Sequence, residues 1–273
     1  MYKKFLVALS GAAALSCQLF ASEAVKPADA ADWRIFGGKD RVIENVTVDG
    51  EKVIKFAGAS GNFVTKKLIP VDPSKKYRLS GEIKLPAGAA KTRFYIGFML
   101  FDAKQRLIAS SMVNAVPGSD TVLAAPVKKG DKIIRIADGS KWQSGSYYAV
   151  AFLSKPDYSD LPNFTAGNSV LKVEKKDKFF EVTLENPSPY NLDANTGVRQ
   201  HRYTGTYLYL IANRAAGNTW QKFSGTVCGV AKYGAVKDKW WAKTANAAIL
   251  MICNIGAKEG TTLVRNITFE EVK

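Results

Sequence analysis

The stretch GTYLYLIANRAAGNTWQKFSGTV, residues 205–227, carries the strongest structural pattern in the chain. Its first half alternates: Leu208 and Leu210 fall on one side of an extended backbone, and Tyr207 and Tyr209 fall on the other. A period of two indicates a β-strand, and the apolar character of both sides indicates that both faces of this strand are covered.

The second half of the stretch predicts another strand. Residues 216–218, Ala-Gly-Asn, break the first run, and Lys222 and Ser224 then fall on the face opposite to Phe223 and Val227. One face of the second strand is therefore polar and the other apolar. A strand, a loop and a half-buried strand are a piece of a β-sandwich, and the remaining chain must supply the other strands.

The rest of the chain after residue 32 is also a succession of short alternating segments and turns. Asp49-Gly50, between two β-branched segments, indicates a hairpin. Strand patterns recur at 77–84 and 93–101, and no stretch of ten or more residues has helical periodicity. We therefore expect an all-β protein.

The pattern changes at residue 117 and returns to its earlier form at residue 203. Residues 25–116 and 203–273 together have the size of one β-sandwich, whereas 117–202 has the size of a small β-barrel. Loops accept such insertions because the entropy of loop closure grows slowly with length. The sequence thus predicts a sandwich assembled from two chain segments, with a β-barrel-like insertion.

Residues 1–24 have the form of a secretory signal peptide. Lys3 and Lys4 precede an apolar segment at 5–15, and small residues follow at 21–24. Lipidation at Cys17 is a second alternative that the residues before it favour less. No later segment has eighteen apolar residues in succession, so we expect a secreted, periplasmic or cell-surface protein without a transmembrane segment.

Two cysteines, Cys228 and Cys253, lie beyond this leader, each in a predicted strand. The oxidising environment outside the cell permits a disulfide between them. Two separate buried thiols, each acting as a small apolar residue, are the equal alternative.

The chain carries a formal net charge of +15, almost all of it outside the leader. In an exported protein this excess favours acidic partners, such as an anionic surface polymer. The alternative is lysine scattered for solubility, since the basic residues come mostly in pairs. No nucleic-acid-binding motif is present, so no nucleic-acid partner is expected.

The sequence lacks the residue patterns that catalysis needs. A glycosidase needs two carboxylates on opposite sides of one bond, but most acidic residues here fall in turns, as Asp49 and Asp138 do. The single histidine, His201, has no nucleophile motif or metal-ligand spacing around it. We therefore expect a protein that is not an enzyme.

Three short patterns resemble strands of the galactose-binding-like jelly roll of carbohydrate-binding modules. They are 76–84 (KYRLSGEIK), 220–226 (WQKFSGT) and 263–272 (LVRNITFEEV). Their order matches that of the family once 117–202 is set aside. The resemblance implies a jelly-roll sandwich and a carbohydrate ligand.

The same family usually has an Asp-Asp pair beside a structural calcium on its closing strand. This chain has Arg265-Asn266 at that place. Because an arginine repels a cation, we expect no cofactor and no metal site, and a structural calcium is the less favoured alternative.

Sugar binding needs flat aromatic faces for the C–H side of a pyranose and planar polar groups for its hydroxyls. The candidates for an aromatic platform are Tyr207, Tyr209 and, on a neighbouring strand, Tyr95. The candidates for hydrogen bonds are Arg93, Asn213 and Arg214, and a second aromatic candidate is the pair Trp240 and Trp241 in a lysine-rich loop. Alternatively, the tyrosines only cover the second face of the sheet.

These features together predict an exported, non-catalytic protein that binds a polysaccharide or another glycan. The positive charge favours an acidic polysaccharide. The alternative is a structural or adhesive cell-surface protein that binds other proteins.

Overall fold

A computed structural model describes residues 24–37 and 40–273. Residues 1–23, with most of the predicted signal peptide and Cys17, lie outside the described residues. The described residues form strands and two 3-10 helices, Ala30–Asp32 and Ser110–Met112. The strands are β1 Trp33–Phe36, β2 Arg41–Val48, β3 Glu51–Gly58, β4 Gly61–Thr65, β5 Ile69–Pro70, β6 Lys76–Lys84, β7 Arg93–Phe101, β8 Leu107–Ile108, β9 Thr121–Val122, β10 Ile133–Ile136, β11 Gly145–Phe152, β12 Asn168–Lys175, β13 Phe180–Leu184, β14 Gly197–Arg202, β15 Leu208–Ala215, β16 Gln221–Cys228, β17 Asn246–Ile255 and β18 Gly260–Val272.

Two antiparallel sheets form a β-sandwich of the jelly-roll class. The seven-stranded sheet has the order β1-β4-β17-β7-β15, with β5 paired to β17 and β8 paired to β7. The five-stranded sheet has the order β16-β6-β18-β3-β2. Both sheets combine strands from before β9 with strands from after β14, so the predicted sandwich of two chain segments is confirmed.

The sandwich core lies between the inner faces of these two sheets. Phe98 on β7 and Phe56 on β3 are fully buried there, and Phe56 stacks on Phe63 with ring centroids 4.4 Å apart. Burial of each such side chain contributes about 1.5–3 kcal/mol, so this aromatic layer holds the sheets together. Alternation along the same strands sends every second residue to the outer faces.

The predicted hairpin joins β2 to β3. Val48 pairs with Glu51, and both turn residues, Asp49 and Gly50, have positive φ angles, 52° and 80°. A two-residue turn of this kind matches the twist of the flanking strands, which explains the Asp-Gly sequence.

Strands β9 to β14 form a separate six-stranded sheet, in the order β10-β13-β12-β11-β14-β9. A bridge between Leu123 and Ile136 joins its two edges, so the sheet curls into a nearly closed barrel. Its interior holds a second apolar cluster that includes Trp142, Phe152 and Val182. The barrel therefore has its own core within the chain segment between the two parts of the sandwich.

The chain enters and leaves this barrel through two segments that pair with each other, 114–116 and 200–202, which we call the neck. Ala115 bridges to His201, and the Val116 amide donates to the Gln200 carbonyl over 2.9 Å. The neck therefore connects the barrel to the sandwich by two hydrogen-bonded strands.

Candidate functional site

Three tyrosines meet on the outer face of the seven-stranded sheet, and we call them the tyrosine face. Tyr95 follows the buried Phe94 on β7, so alternation turns its ring outward. Tyr209 lies on β15, beside β7, and Tyr207 comes just before β15. All three side chains are half-buried. The structure thus brings together the three predicted tyrosines.

The three rings pack edge to face rather than side by side. The ring centroids of Tyr95 and Tyr209 are 5.0 Å apart at an interplanar angle of 61°, and those of Tyr207 and Tyr209 are 6.2 Å apart at 90°. Edge-to-face packing is favourable for aromatic rings and fixes their orientation. The tyrosine face is therefore a ridged surface, with Tyr209 at its centre, and not the flat platform that the sequence suggested.

An apolar layer underlies the tyrosine face. Met99 on β7 and Leu250 on β17 are each at most 1% exposed, although they point away from the sandwich core. They form one cluster with Tyr207 and Tyr209. A second apolar surface thus lies on the outside of the seven-stranded sheet, and the tyrosines form part of its cover.

The hydroxyls of Tyr207 and Tyr209 remain protonated at neutral pH. Burial, followed by the neighbouring Tyr207 and Tyr95, raises the pKa of Tyr209 to about 12, and burial also raises the pKa of Tyr207. Within residues 24–37 and 40–273, none of the three hydroxyls has a hydrogen-bond partner. Each is therefore free to donate to, and accept from, a ligand.

A glycine on β7 lets β15, the strand that carries Tyr209, lie close to β7. Gly97 on β7 pairs with Tyr209, and a Cβ atom added to Gly97 would lie 1.8 Å from the Leu208 carbonyl oxygen. The register of β15 shifts after Tyr209 and again before Arg214, as β-bulges do. The position of Tyr209 therefore depends on the missing side chain at Gly97.

Replacing Gly97 by alanine is expected to push β15 away from β7. Because the clash is with backbone, it cannot be relieved by a side-chain rotation, and we expect a loss of about 1–3 kcal/mol in the free energy of unfolding. Urea denaturation measures this. Gly167→Ala is the matched control, since no atom lies within 4 Å of its added Cβ. Equal stabilities of the two variants would contradict the prediction.

The three polar residues that were predicted to form hydrogen bonds with a sugar do not all lie at the tyrosine face. Arg93 shares the outward register of Tyr95 on β7, and its Nη1 donates to the Asn213 carbonyl oxygen over 3.1 Å. Arg214 instead reaches the five-stranded sheet, where its Nη1 donates to the Lys222 carbonyl oxygen over 3.2 Å. Arg93 and Asn213 therefore lie at one end of the tyrosine face, and Arg214 is directed away from it.

The tryptophan pair is not a surface feature, and this part of the sequence prediction is wrong. Trp240 and Trp241 are 0% and 1% exposed and belong to the sandwich core. Trp240 packs against Phe98, with ring centroids 5.4 Å apart, and Trp241 donates from Nε1 to the Val236 carbonyl oxygen over 3.3 Å. Neither ring offers a face to a sugar.

The two cysteines are free thiols, so the disulfide alternative is wrong. Cys228 is exposed on β16 in the five-stranded sheet, and Cys253 is fully buried on β17 in the seven-stranded sheet. Burial raises the pKa of the Cys253 thiol, which therefore stays protonated and packs as an apolar group.

A buried charged cluster, which the sequence did not reveal, lies on β14 next to the neck. The Arg199 guanidinium is fully buried. Its Nη2 donates to Asp160 Oδ2 over 2.7 Å, and its Nη1 donates to Asp120 Oδ1 and to the Lys155 carbonyl oxygen, each over 3.2 Å. Two carboxylates thus offset one buried positive charge, and burial raises the pKa of Asp120.

His201 extends this buried cluster toward the sandwich. Its Nδ1 lies 2.6 Å from the Ser111 carbonyl oxygen, so Nδ1 carries the hydrogen and donates it. Its Nε2 then accepts from Arg199 Nε over 3.2 Å. Burial, reinforced by the Arg199 charge, lowers the pKa of His201 to about 4. The histidine is therefore neutral and packed.

Stacked tyrosines cover the buried cluster. Tyr158 of the barrel segment lies over the Arg199 guanidinium, 4.7 Å from its ring centroid. Its ring stacks on Tyr233 of the sandwich, with centroids 4.9 Å apart and planes inclined by 20°. These contacts make the cluster part of the junction between barrel and sandwich. The sequence of this strand, VRQHR at residues 198–202, did not predict a buried charged cluster.

The closing strand, at which the family resemblance suggested a calcium site, carries ion pairs instead. Arg265 pairs with Glu51 and Glu82, and its guanidinium lies 4.2 Å from the Trp220 ring centroid. Within the part of the chain that the structure describes, no three His, Cys, Asp or Glu side chains come together as metal ligands would. Neither of the two described helices is long and apolar enough to span a membrane.

No family model matches the chain, and no curated protein matches it in sequence. In fold, the chain is similar to carbohydrate-binding modules. One is the CBM22-1 xylan-binding domain from Paenibacillus barcinonensis Xyn10C, with 9% identity, a TM-score of 0.39 and coverage of 92% of this chain and 94% of that one. Another is the family 11 module of a cellulosomal cellulase of Clostridium thermocellum, with 10% identity, a TM-score of 0.34 and coverage of 92% and 95%.

The active domain of tailspike protein 4 of bacteriophage CBA120 is also similar in fold. It has 9% identity and a TM-score of 0.36, and the match covers 89% of this chain and 20% of that one. At such scores and identities these matches carry no information about a ligand of this chain, which has to be inferred from its own residues.

Proposed function

We propose that this is an exported, non-catalytic protein that binds a carbohydrate on its tyrosine face. The observation that carries the proposal is the cluster of Tyr95, Tyr207 and Tyr209, whose rings pack edge to face and whose hydroxyls are free of protein partners in the described residues. Aromatic edges and faces suit the C–H surface of a sugar ring, and free hydroxyls suit its polar rim. Such binding needs no cofactor or metal.

The polar surroundings support the same proposal. Arg93 and Asn213 meet at one end of the tyrosine face, where the Arg93 guanidinium donates to the Asn213 carbonyl oxygen. A guanidinium and a side-chain amide are planar donors of the kind that sugar hydroxyls need.

Binding of the purified protein to a panel of immobilised neutral polysaccharides tests the proposal. Tyr209→Ala is expected to lower the affinity for the bound glycan by about tenfold or more, because Tyr209 contacts both other rings. Tyr147→Ala is the matched control, since Tyr147 lies on the barrel and is 72% exposed. Unchanged binding by Tyr209→Ala, or no binding to any glycan, would contradict the proposal.

A structural or adhesive role in binding other proteins is the second candidate. One observation favours it: the barrel exposes several large apolar side chains, among them Ile133, Leu153 and Leu171, each at least 48% exposed. Apolar residues at a surface are one mark of protein contacts. If the protein bound no glycan but associated with itself or bound a cell-surface protein, this role would be favoured.

A further inference from the structure

The loop between β16 and β17, residues 229–245, has a concentration of uncompensated positive charge, and we call it the lysine loop. It contains four lysines and one acidic residue, Asp238. All four lysines are exposed, and none forms an ion pair with a carboxylate of the described residues. They are Lys232, Lys237, Lys239 and Lys243.

Three basic residues on or next to the five-stranded sheet, in contrast, form ion pairs with carboxylates. Arg78 pairs with Glu270, Lys75 with Glu271 over 2.8 Å, and Arg265 with Glu82 over 2.6 Å. The charges of these three residues are therefore offset by neighbouring carboxylates, whereas the charges of the lysine loop are not. A field that attracts anions from solution is expected at the loop.

The lysine loop is held in one conformation by its own tryptophans. Trp240 and Trp241 are buried in the sandwich core. The Trp240 amide donates to the Gly229 carbonyl oxygen, and the Ala231 amide donates to the Trp240 carbonyl oxygen, each over 2.9 Å. The lysines therefore extend from an ordered backbone, and a ligand does not have to order the loop when it binds.

Aromatic rings lie among these lysines. Tyr233 is 39% exposed and stacks on Tyr158. Lys232 Nζ lies 5.9 Å from the Tyr158 ring centroid, and Lys243 Nζ donates to the Ser159 carbonyl oxygen over 3.1 Å. The lysine loop thus combines cationic groups with an accessible ring, at the junction of sandwich and barrel.

From this arrangement we infer that the lysine loop is a second binding surface, separate from the tyrosine face, and that its ligand is an acidic polysaccharide. Lysines are point charges that suit carboxylates spaced along a sugar chain, and the Tyr233 ring suits a pyranose face. The loop has no arginine, whereas planar recognition of phosphate favours arginine. The surface therefore fits a polyuronate better than a nucleic acid.

Binding to polygalacturonate at low and high salt tests this inference. A variant with Lys232, Lys237, Lys239 and Lys243 all changed to glutamine is expected to bind at least about tenfold more weakly at low salt and to show a smaller salt dependence, because fewer counterions are released. The matched control changes Lys128, Lys129, Lys175 and Lys178 to glutamine. These are exposed barrel lysines with no ion pair in the described residues, so the net charge falls equally.

Equal losses in the two variants would overturn the inference, since binding would then depend on net charge alone. Tighter binding to double-stranded DNA than to polygalacturonate, at equal concentrations of anionic groups, would also overturn it, in favour of a nucleic acid. Failure of this inference can be distinguished from failure of the proposed function, because the two surfaces are tested with different ligands. The loop variant is expected to keep its binding to neutral glycans. Tyr209→Ala is expected to keep its binding to polygalacturonate.

Discussion

Arg199→Met is expected to lower the free energy of unfolding at pH 7 by about 3–5 kcal/mol, the range measured when one partner of a buried ion pair is removed. Methionine approximates the length of the arginine stem but leaves Asp160 and Asp120 facing each other without a cation. Asp160 is only 6% exposed, so water cannot replace the lost partner. Urea denaturation followed by circular dichroism measures the change.

Arg202→Met is the matched control. Arg202 lies on the same strand, three residues along, with its side chain exposed and 5.8 Å from the Tyr148 ring centroid. An exposed substitution of this kind is expected to cost less than about 1 kcal/mol. Adding Asp160→Asn to Arg199→Met is expected to recover part of the loss, because it removes a buried charge that has lost its partner. If Arg199→Met lowered the free energy of unfolding no more than Arg202→Met did, the buried cluster would contribute little to stability.

The second large effect is a loss of stability as the pH falls from about 6.5 to about 4. The pKa of His201 is lowered to about 4 in the folded protein from an ordinary value of 6.5. The unfolded chain therefore binds a proton within this window and the folded chain does not, so falling pH favours unfolding. The expected loss is about 3 kcal/mol, complete near pH 4.

This window can be assigned to one residue, because His201 is the only histidine in the chain. Protonation would place a hydrogen on Nε2 opposite the Arg199 Nε–H, so that two donors and two positive charges would meet in a buried site. The carboxyl groups with lowered pKa values, such as Asp29 and Asp49, lose their contribution to stability mainly below about pH 4. Asp120 has a raised pKa, so its own contribution to stability grows as the pH falls and opposes that of His201.

Denaturation in urea at intervals from pH 7.5 to pH 4 measures the effect. His201→Gln is expected to remove most of the slope between pH 6.5 and pH 4, because glutamine does not titrate and can replace the two hydrogen bonds of the ring. A slope in this variant equal to that of the natural protein would contradict the assignment to His201. The same would follow if the natural protein showed no loss of stability within the window.

The strands, and the face that each side chain occupies, could be predicted because both are local properties. Phe223 and Val227 are buried while Lys222 and Ser224 are exposed, as a period of two requires. The same alternation placed Tyr95 and Tyr209 on outward faces. The angles between their rings could not be predicted, since they depend on the bulges of β15 and on the bare backbone at Gly97.

Other features depend on contacts between distant parts of the chain. Trp240 and Trp241 were predicted as a second aromatic surface for a sugar, yet both rings are buried in the sandwich core, where the loop that carries them packs. Arg199 is buried because Asp160 and Asp120 come from segments far away in the sequence. No local sequence pattern indicates contacts between such distant segments, so the sequence did not predict the cluster.

The neck determines how the barrel can move. A single covalent strand between two bodies acts as a swivel, about which one body can spin. Here Ala115 bridges to His201 and Val116 bonds to Gln200, so the link is a two-stranded ribbon that resists torsion. The barrel therefore cannot rotate freely about the link, and a polymer pulling on it would transmit torque, as well as tension, to the sandwich.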